Sequence, residues 1–278
     1  MPAPNCALVL GPGGPAGAAW TAGLAHGLRG LGVDLAAADL VVGTSAGAIV
    51  GAALATGRDL ALLADPASSG GAPPPRPDRR LLGEVFAVLG AGLPPEEARV
   101  RVGRIALGAA DPDAEQALVT TRRRLIGTDD WPAGRRLLVP AVTAETGESV
   151  VFDRDSGVPL ATAVAASSAF PGAAPPVAVG GLHYVDGALR SGANLDLAAG
   201  ARTVVLLDPM ARQDPGPQAA SVTGAQTVVT LFPDEAAAAV FGPDPTDPSA
   251  WAPAFRAGRQ QAAAARGQLA GVWSAGTA

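Results

Sequence analysis

The segment Gly43–Gly47 (Gly-Thr-Ser-Ala-Gly) follows a short apolar run, Leu40–Val42, and leads into small residues that extend to about Ala55. The apolar run is typical of a buried strand, and the small residues are typical of a closely packed helix. Glycines two positions either side of Ser45 allow a sharp, crowded turn. The pattern therefore predicts a strand–turn–helix elbow with Ser45 at its tip. The alternative is a glycine-rich turn in which Ser45 only caps the helix.

Strands and helices alternate around this elbow. Ala7–Leu10 predicts a buried strand that ends in a glycine-rich loop, Gly11–Gly17, and a helix follows over about Ala18–Leu31. Thr203–Leu207 predicts another buried strand late in the chain. This alternation predicts an α/β fold with a mostly parallel sheet wound by helices. With 278 residues, we expect a single domain over residues 1–278.

The second half of the chain adds shorter elements. A turn at Glu145–Glu148 joins two predicted strands, and Pro171 ends a predicted helix. Pro-rich loops at 209–217 and 242–248 interrupt the tail. The remaining predicted elements are strands at Leu137–Ala144, Ser149–Asp153, Val177–Val179 and Leu182–Val185, and helices at Val158–Ala169 and from about Trp251.

Residues 65–130 combine a predicted loop with three predicted helices. Asp65–Arg80 is so rich in Pro and Gly that it predicts a flexible loop. Helical patterns follow at Leu81–Leu89, Pro95–Leu107 and Asp113–Ile126. We interpret the region as a helical insertion that caps a site. Its apolar helix faces suit a packed core, or peripheral contact with a membrane or acyl chain.

The composition excludes several chemistries. All 20 basic residues are Arg, so a Walker lysine, a Schiff-base lysine and a Ser–Lys dyad are absent. Cys6 is the single cysteine and His26 and His183 are the only histidines, which leaves no disulfide and no zinc cluster. We therefore expect neither a metal nor a cofactor.

Charge and hydropathy restrict the partners. A net charge of -5 provides no basic surface for nucleic acid. The N-terminal residues lack the basic and apolar regions of a secretory signal. The most apolar stretch, Val41–Gly57, is interrupted by the elbow and is better explained as a buried strand and helix than as a membrane span. We expect a cytoplasmic protein.

Ser45 is the candidate nucleophile, and the loop after the first strand is the candidate oxyanion site. The helix after Ser45 directs its N-terminal N–H groups toward the hydroxyl, which favours anionic character there. Gly13 and Gly14 can turn adjacent N–H groups into one cavity. Gly11-x-Gly13-x-x-Ala16 also fits a dinucleotide fingerprint, but the acidic residue that this fingerprint needs after the second strand is missing.

The candidate base is a carboxylate. A hydrolase triad in the order Ser, acid, His needs a late histidine, whereas His183 precedes the best acid and lies three residues from it, on the opposite face of a strand. Asp186 follows a short strand and precedes Gly187-Ala188. A desolvated carboxylate there could accept the Ser45 proton. Asp153 and Asp208, also at strand ends, remain alternatives.

Together these segments resemble the patatin-like phospholipase family over most of the chain. The family shows a glycine-rich oxyanion loop, an early Gly-x-Ser-x-Gly elbow and a late Asp-Gly-Gly/Ala, which correspond here to Gly11–Gly17, Gly43–Gly47 and Asp186–Ala188. Two further stretches are similar to the family: Ala166–Gly172 with Pro175–Val177, and Asp186–Asp196. The order and spacing of the three motifs make the resemblance specific.

The resemblance implies a three-layer α/β/α fold and a Ser–Asp dyad that hydrolyses acyl esters of lipids through an acyl-enzyme, without a metal. In that scheme Ser45 attacks, Asp186 is the base, and Gly13 and Gly14 bind the oxyanion. The substrate is then a lipid or another acyl ester.

One position departs from the family pattern. The family usually carries Arg or Lys in Gly-Gly-x-Arg/Lys-Gly, where this chain has Ala16. Phospholipid preference is weakened more than ester hydrolysis, so small esters, thioesters or acyl transfer to another acceptor stay open. A non-catalytic binding protein on the same scaffold is the third alternative, and the presence of both Ser45 and Asp186 argues against it.

Overall fold

A computed structural model describes residues 4–65, 77–211, 223–242, 244 and 247–273 of the chain. Most of the predicted loop Asp65–Arg80 and part of the predicted loops at 209–217 and 242–248 lie outside these residues. The other predicted elements fall within them.

The described strands form one sheet of eight members, in the order β5-β6-β3-β2-β1-β7-β8, with β4 paired to β3. Strands β3, β2, β1, β7 and β8 run parallel, whereas β4, β5 and β6 extend the sheet with antiparallel pairs. The strands are β1 (Cys6–Leu10), β2 (Leu40–Gly43), β3 (Arg136–Thr143), β4 (Ser149–Phe152), β5 (Val177–Val179), β6 (Leu182–Asp186), β7 (Thr203–Leu207) and β8 (Thr227–Leu231).

The described helices cover both faces of the sheet. They are α1 (Gly14–Gly30), α2 (Ala46–Ala55), α3 (Arg79–Leu89), α4 (Pro95–Gly108), α5 (Pro112–Ile126), α6 (Leu160–Ser167), α7 (Ala188–Ser191), α8 (Glu235–Phe241) and α9 (Trp251–Leu269). Aspartates begin two helices of the insertion: the Asp78 carboxylate accepts N–H bonds at the start of α3, and Asp111 does the same for α5.

The alternation of side chains along the strands produces two cores. Leu8 and Leu10 of β1 pack with α1, α2, α5, α6 and α9 on one face. Ala7 and Val9 point to the other face, where a 3-10 turn at Leu195–Ala198 covers them. Helices α4 and α7 cover the end of that second face near β6. The predicted α/β class, with a mostly parallel sheet between helical layers, is confirmed.

Candidate active site

The elbow places Ser45 between the end of β2 and the start of α2. Ser45 has φ 56° and ψ -116°, a strained backbone for a residue other than glycine. A Cβ at Gly47 would overlap the Leu10 carbonyl of β1, so this position of the elbow must be glycine. The Ser45 hydroxyl makes no capping bond to α2, which is contrary to the capping alternative.

The Ser45 hydroxyl instead donates a hydrogen bond to Asp186 Oδ2 over 2.7 Å. The other carboxylate oxygen, Oδ1, accepts the Ala188 N–H at 2.8 Å. Asp186 is 1% exposed, and this burial raises its pKa from 3.8 to about 7. The two hydrogen bonds and the positive charge of Arg122 act in the opposite direction and lower the pKa. A carboxylate of this kind is poised to exchange a proton near neutral pH.

Strand pairing brings Asp186 to the elbow. β6 runs antiparallel to β3 and sets Asp186 opposite Ala141. The residue after the carboxylate must be glycine, because a Cβ at Gly187 would overlap the Pro140 carbonyl of β3. The Asp-Gly pair of the sequence motif is thus explained by close packing of α7 on β3.

The end of α6 holds both members of the pair. The Ser45 N–H donates to Ser167 Oγ at 3.2 Å. The Asp186 N–H donates to the Ala169 carbonyl at 3.1 Å, and the Gly187 N–H donates to the Ser167 carbonyl at 3.2 Å. One short segment therefore fixes the nucleophile candidate and the base candidate relative to each other.

The glycine-rich loop follows β1, next to the elbow in the sheet order. Gly14 has φ 59° and begins α1. A Cβ at Gly13 would lie 2.7 Å from Pro209 Cβ, which excludes larger residues. Within the described residues, the N–H groups of Gly13 and Gly14 have no hydrogen-bond acceptor. Unpaired donors at a helix N-terminus are suited to an anionic oxygen.

The alternative carboxylates have other partners. Asp208 follows β7 and accepts the Met210 N–H at 3.0 Å; burial raises its pKa, and backbone hydrogen bonds partly oppose this. Asp153 is a turn residue whose Oδ1 accepts from the Asp155 N–H and the Ser156 hydroxyl. The structure therefore brings Ser45 together with Asp186 and with neither alternative.

The two histidines lie in other contacts. His183 Nδ1 is 2.8 Å from Glu145 Oε1. Partial burial raises the pKa of Glu145, but its hydrogen bonds with His183 outweigh this effect and the net pKa is lowered. The His26 ring contacts the Phe255 ring in a tilted arrangement, with 5.9 Å between the ring centroids. The expectation that neither histidine serves Ser45 agrees with these contacts.

Arg122 of α5 is a site residue that the sequence motifs do not indicate. Its Nε donates to Ser168 Oγ at 2.8 Å, and the Ser168 hydroxyl donates to the Val164 carbonyl at 2.7 Å. Burial lowers the pKa of Arg122 to about 10, and the charge of Asp186 opposes this. No residue pattern around position 122 distinguishes it from the arginines beside it.

In the part of the chain that the structure describes, His, Cys, Asp and Glu form no group of three that could hold a metal ion. Among the same residues, no helix combines the length and apolar character that crossing a membrane requires.

Residues 8–199 match the family model of patatin-like phospholipases. Among solved structures, VipD from Legionella pneumophila is 15% identical with a TM-score of 0.48, and the alignment covers 95% of this chain and 67% of VipD. The type III effector protein ExoU is 20% identical with a TM-score of 0.39, covering 96% of this chain and 54% of ExoU. No curated protein matches the sequence. The family model spans more than half of the chain, so this chain belongs to the patatin-like phospholipase family of lipid hydrolases.

Proposed function

We propose that this protein hydrolyses acyl esters of lipids through an acyl-enzyme on Ser45, with Asp186 as the general base. The observation that carries the proposal is the 2.7 Å hydrogen bond from the Ser45 hydroxyl to a buried carboxylate. A nucleophile and a base within hydrogen-bond distance, beside unpaired backbone donors, are the parts that acyl transfer to serine requires.

In the first half-reaction, Ser45 Oγ attacks the ester carbonyl carbon and its proton passes to Asp186 Oδ2. The negative oxygen of the tetrahedral intermediate accepts hydrogen bonds from the N–H groups of Gly13 and Gly14. The bond to the alcohol then breaks, Asp186 returns the proton to the leaving oxygen, and an ester on Ser45 remains.

In the second half-reaction, water attacks the acyl-serine carbonyl. Asp186 takes a proton from the water, the same backbone donors bind the oxyanion, and the intermediate collapses to a carboxylic acid while Ser45 regains its proton. Asp186 thus acts as base and acid in alternation, a role favoured by a pKa of about 7.

We further propose that helix α3, in the predicted insertion, borders the acyl chain or the lipid surface. The Asp78 N–H at the start of α3 donates to the Gly172 carbonyl at 2.7 Å, in the segment that follows α6. The Phe86 ring lies 5.8 Å from the Phe170 ring, yet Phe86 is 57% exposed. Phe86 is an exposed aromatic side chain beside the segment at the end of α6 that holds Ser45 and Asp186. This position suits contact with an apolar substrate.

Transfer to an acceptor other than water, or cleavage of small esters and thioesters, is the second candidate. The observation that favours it is Ala16, which is buried and leaves the glycine-rich loop without the cation expected there. A small neutral substrate needs no such cation. The same dyad would serve either reaction.

The test combines a fluorophosphonate probe, p-nitrophenyl esters from acetate to palmitate, and phosphatidylcholine vesicles. We expect the probe to label Ser45 and turnover to vary with acyl length. Ser45→Ala should abolish labelling, and Asp186→Asn should lower kcat at least about 1,000-fold. Asp153→Asn, which removes a partly exposed turn carboxylate, is the control and should retain activity.

Near wild-type turnover in Ser45→Ala would refute the mechanism, and unchanged rates in Asp186→Asn would assign the base to another carboxylate. Adding glycerol separates the second candidate, because an acyltransferase forms the glycerol ester at the expense of free acid.

A further inference from the structure

The charges around the dyad are distributed unevenly. Helices α2 and α6, which flank Ser45 and Asp186, contain no charged residue. Burial in such surroundings favours the neutral carboxylic acid, which cannot act as a base. The hydrogen bonds from Ser45 and Ala188 favour the ionised form of Asp186, and a positive charge nearby adds to their effect.

Other charged groups on the elements around β6 have different partners. His183, on β6 itself, faces Glu145. On α7, the Arg190 guanidinium binds the Asp196 carboxylate through two hydrogen bonds of 2.8 and 2.6 Å. On α4, Arg101 binds Glu97, and Arg99 Nε donates to the Gly147 carbonyl. The remaining charged side chains of α4 and β3 are exposed: Glu96, Arg104 and Arg136.

Helix α5 carries a charged side chain that differs from these. Its Arg123 pairs with Asp129, the Glu115 carboxylate accepts the Ala178 N–H, and Arg124 is exposed. Arg122 instead binds the segment that holds the dyad, through Ser168 Oγ, and among the described side chains its charge is the one that lowers the pKa of Asp186.

The position of the Arg122 guanidinium is fixed by α6. Its Nε donates to Ser168 Oγ, and that hydroxyl is fixed by its own bond to the Val164 carbonyl. Ser168 follows Ser167, whose Oγ accepts the Ser45 N–H. The anchor of the cation and the support of the nucleophile are therefore neighbouring residues of one segment.

We propose that Arg122 is a positioning residue of the dyad: its guanidinium, anchored to Ser168, favours the ionised form of the buried Asp186 carboxylate, which is the form that can accept the Ser45 proton. This inference rests on the proposed function, because it assigns Asp186 the role of base. It adds to that function a cation from α5, an element outside the three sequence motifs.

Loss of the Arg122 charge should raise the pKa of Asp186. Burial raises the pKa of Asp186 to about 7 although the charge of Arg122 lowers it. A neutral residue at position 122 removes the lowering effect, so the pKa rises further and less carboxylate exists at neutral pH. Arg122 itself stays protonated near neutral pH, since its pKa is about 10.

The experiment measures the rate of fluorophosphonate labelling of Ser45, and kcat for p-nitrophenyl butyrate, between pH 5 and 9.5. Arg122→Gln keeps an N–H donor for Ser168 but removes the charge, whereas Arg122→Lys keeps the charge. We expect the midpoint of both profiles to lie near pH 7 in the wild type. It should move toward alkaline pH in Arg122→Gln and return most of the way in Arg122→Lys.

Arg124→Gln is the matched control, because it removes an exposed charge from the same helix and should leave the midpoint unchanged. Ser168→Ala is the second variant: it releases the guanidinium while keeping its charge, and we expect a smaller alkaline shift. If Arg122→Gln does not fold, as judged by circular dichroism, an unshifted midpoint in Ser168→Ala overturns the proposal.

The two proposals fail in different ways. If the wild type is neither labelled nor active, the proposed function is wrong. If the wild type is labelled and active but Arg122→Gln shares its midpoint, even with a lower maximum rate, Arg122 has a merely structural role and the inference is wrong.

Discussion

Asn194 connects the two halves of the site through a single amide. It is fully buried and adopts φ 57°, a left-handed conformation that asparagine tolerates better than most residues. Its Nδ2 donates to Thr44 Oγ1 and to the Gly187 carbonyl, each at 3.0 Å. Thr44 precedes the candidate nucleophile and Gly187 follows the candidate base. Asn194 therefore joins the elbow to the start of α7.

Replacing Asn194 should lower the stability of the fold. We expect Asn194→Ala and Asn194→Gly each to lower the free energy of unfolding by about 1–3 kcal/mol, because buried partners lose their hydrogen bonds. Asn194→Ala should be the less stable variant by up to about 1 kcal/mol, since glycine adopts positive φ without strain. Urea unfolding at pH 7 measures both effects. Equal stability of the wild type and both variants would contradict this role.

At the residue scale, sequence patterns identify candidates but do not choose among them. Ser45 stands out because a glycine pattern marks the elbow locally. Asp186, Asp153 and Asp208 all end predicted strands, and what separates them is the pairing of β6 with β3, a long-range contact. Arg122 has no local signal at all, since its role depends on how α5 packs on α6. The catalytic roles themselves stay predictions.

At the element scale, α1 and α9 pack through glycine. A Cβ at Gly258 of α9 would overlap the Trp20 carbonyl of α1, and a Cβ at Gly23 of α1 would overlap the Phe255 carbonyl of α9. The Trp20 indole N–H donates to Gln261 Oε1 at 2.8 Å beside this crossing. The two backbones approach too closely for any side chain between them.

A matched pair of substitutions in α9 tests this packing. Gly258→Ala should lower the free energy of unfolding by about 1–3 kcal/mol, because the helices must move apart. Gly267→Ala lies in the same helix with open space around the new methyl group, and should raise it by about 0.5–1 kcal/mol through helix propensity. Urea denaturation of the three proteins gives both numbers. A destabilisation of similar size in both variants would show that helix packing is not the cause.

Elements with strong local patterns were predictable, and weakly patterned ones were not. The strand at Ala7–Leu10 and the helices of the insertion lie within a few residues of their predicted bounds. Helix α1 begins at Gly14 rather than Ala18, because Pro15 is accommodated in a first helical turn. Strand β8 and helix α8 have no counterpart among the predicted elements. β8 is a half-buried edge strand, and its pairing with β7 is a long-range contact that the local sequence does not indicate.

At the scale of the whole molecule, ionisation of Asp186 lowers the stability of the fold, whereas ionisation of other carboxylates raises it. The hydrogen bonds from Arg190 lower the pKa of Asp196, so this carboxylate stabilises the fold above its unfolded pKa and less so as the pH falls. Asp186 behaves in the opposite way, because burial raises its pKa from 3.8 to about 7. Between these two values the native state binds a proton that the unfolded state has released.

The stability contribution of Asp186 should therefore decrease as the pH rises from about 4 to about 7, and stay constant above that. Its slope can reach about 1.4 kcal/mol per pH unit at most. Asp186→Asn cannot ionise at this position, whereas the other carboxylates titrate equally in both proteins and cancel in the difference. Arg122 stays charged over this pH range, because its pKa of about 10 lies above it. Its charge therefore changes the stability difference between the two proteins by the same amount at every pH.

Urea unfolding of the wild type and Asp186→Asn at half-unit steps from pH 5 to 8 measures that difference. We expect Asp186→Asn to gain stability relative to the wild type up to about pH 7 and then to run parallel to it. Parallel curves across the whole range would show that Asp186 ionises as readily in the native state as in the unfolded chain. The predicted slope means that the proton-accepting form of Asp186 is maintained at the expense of stability, and this trade-off is expected where a buried group serves a reaction rather than the fold.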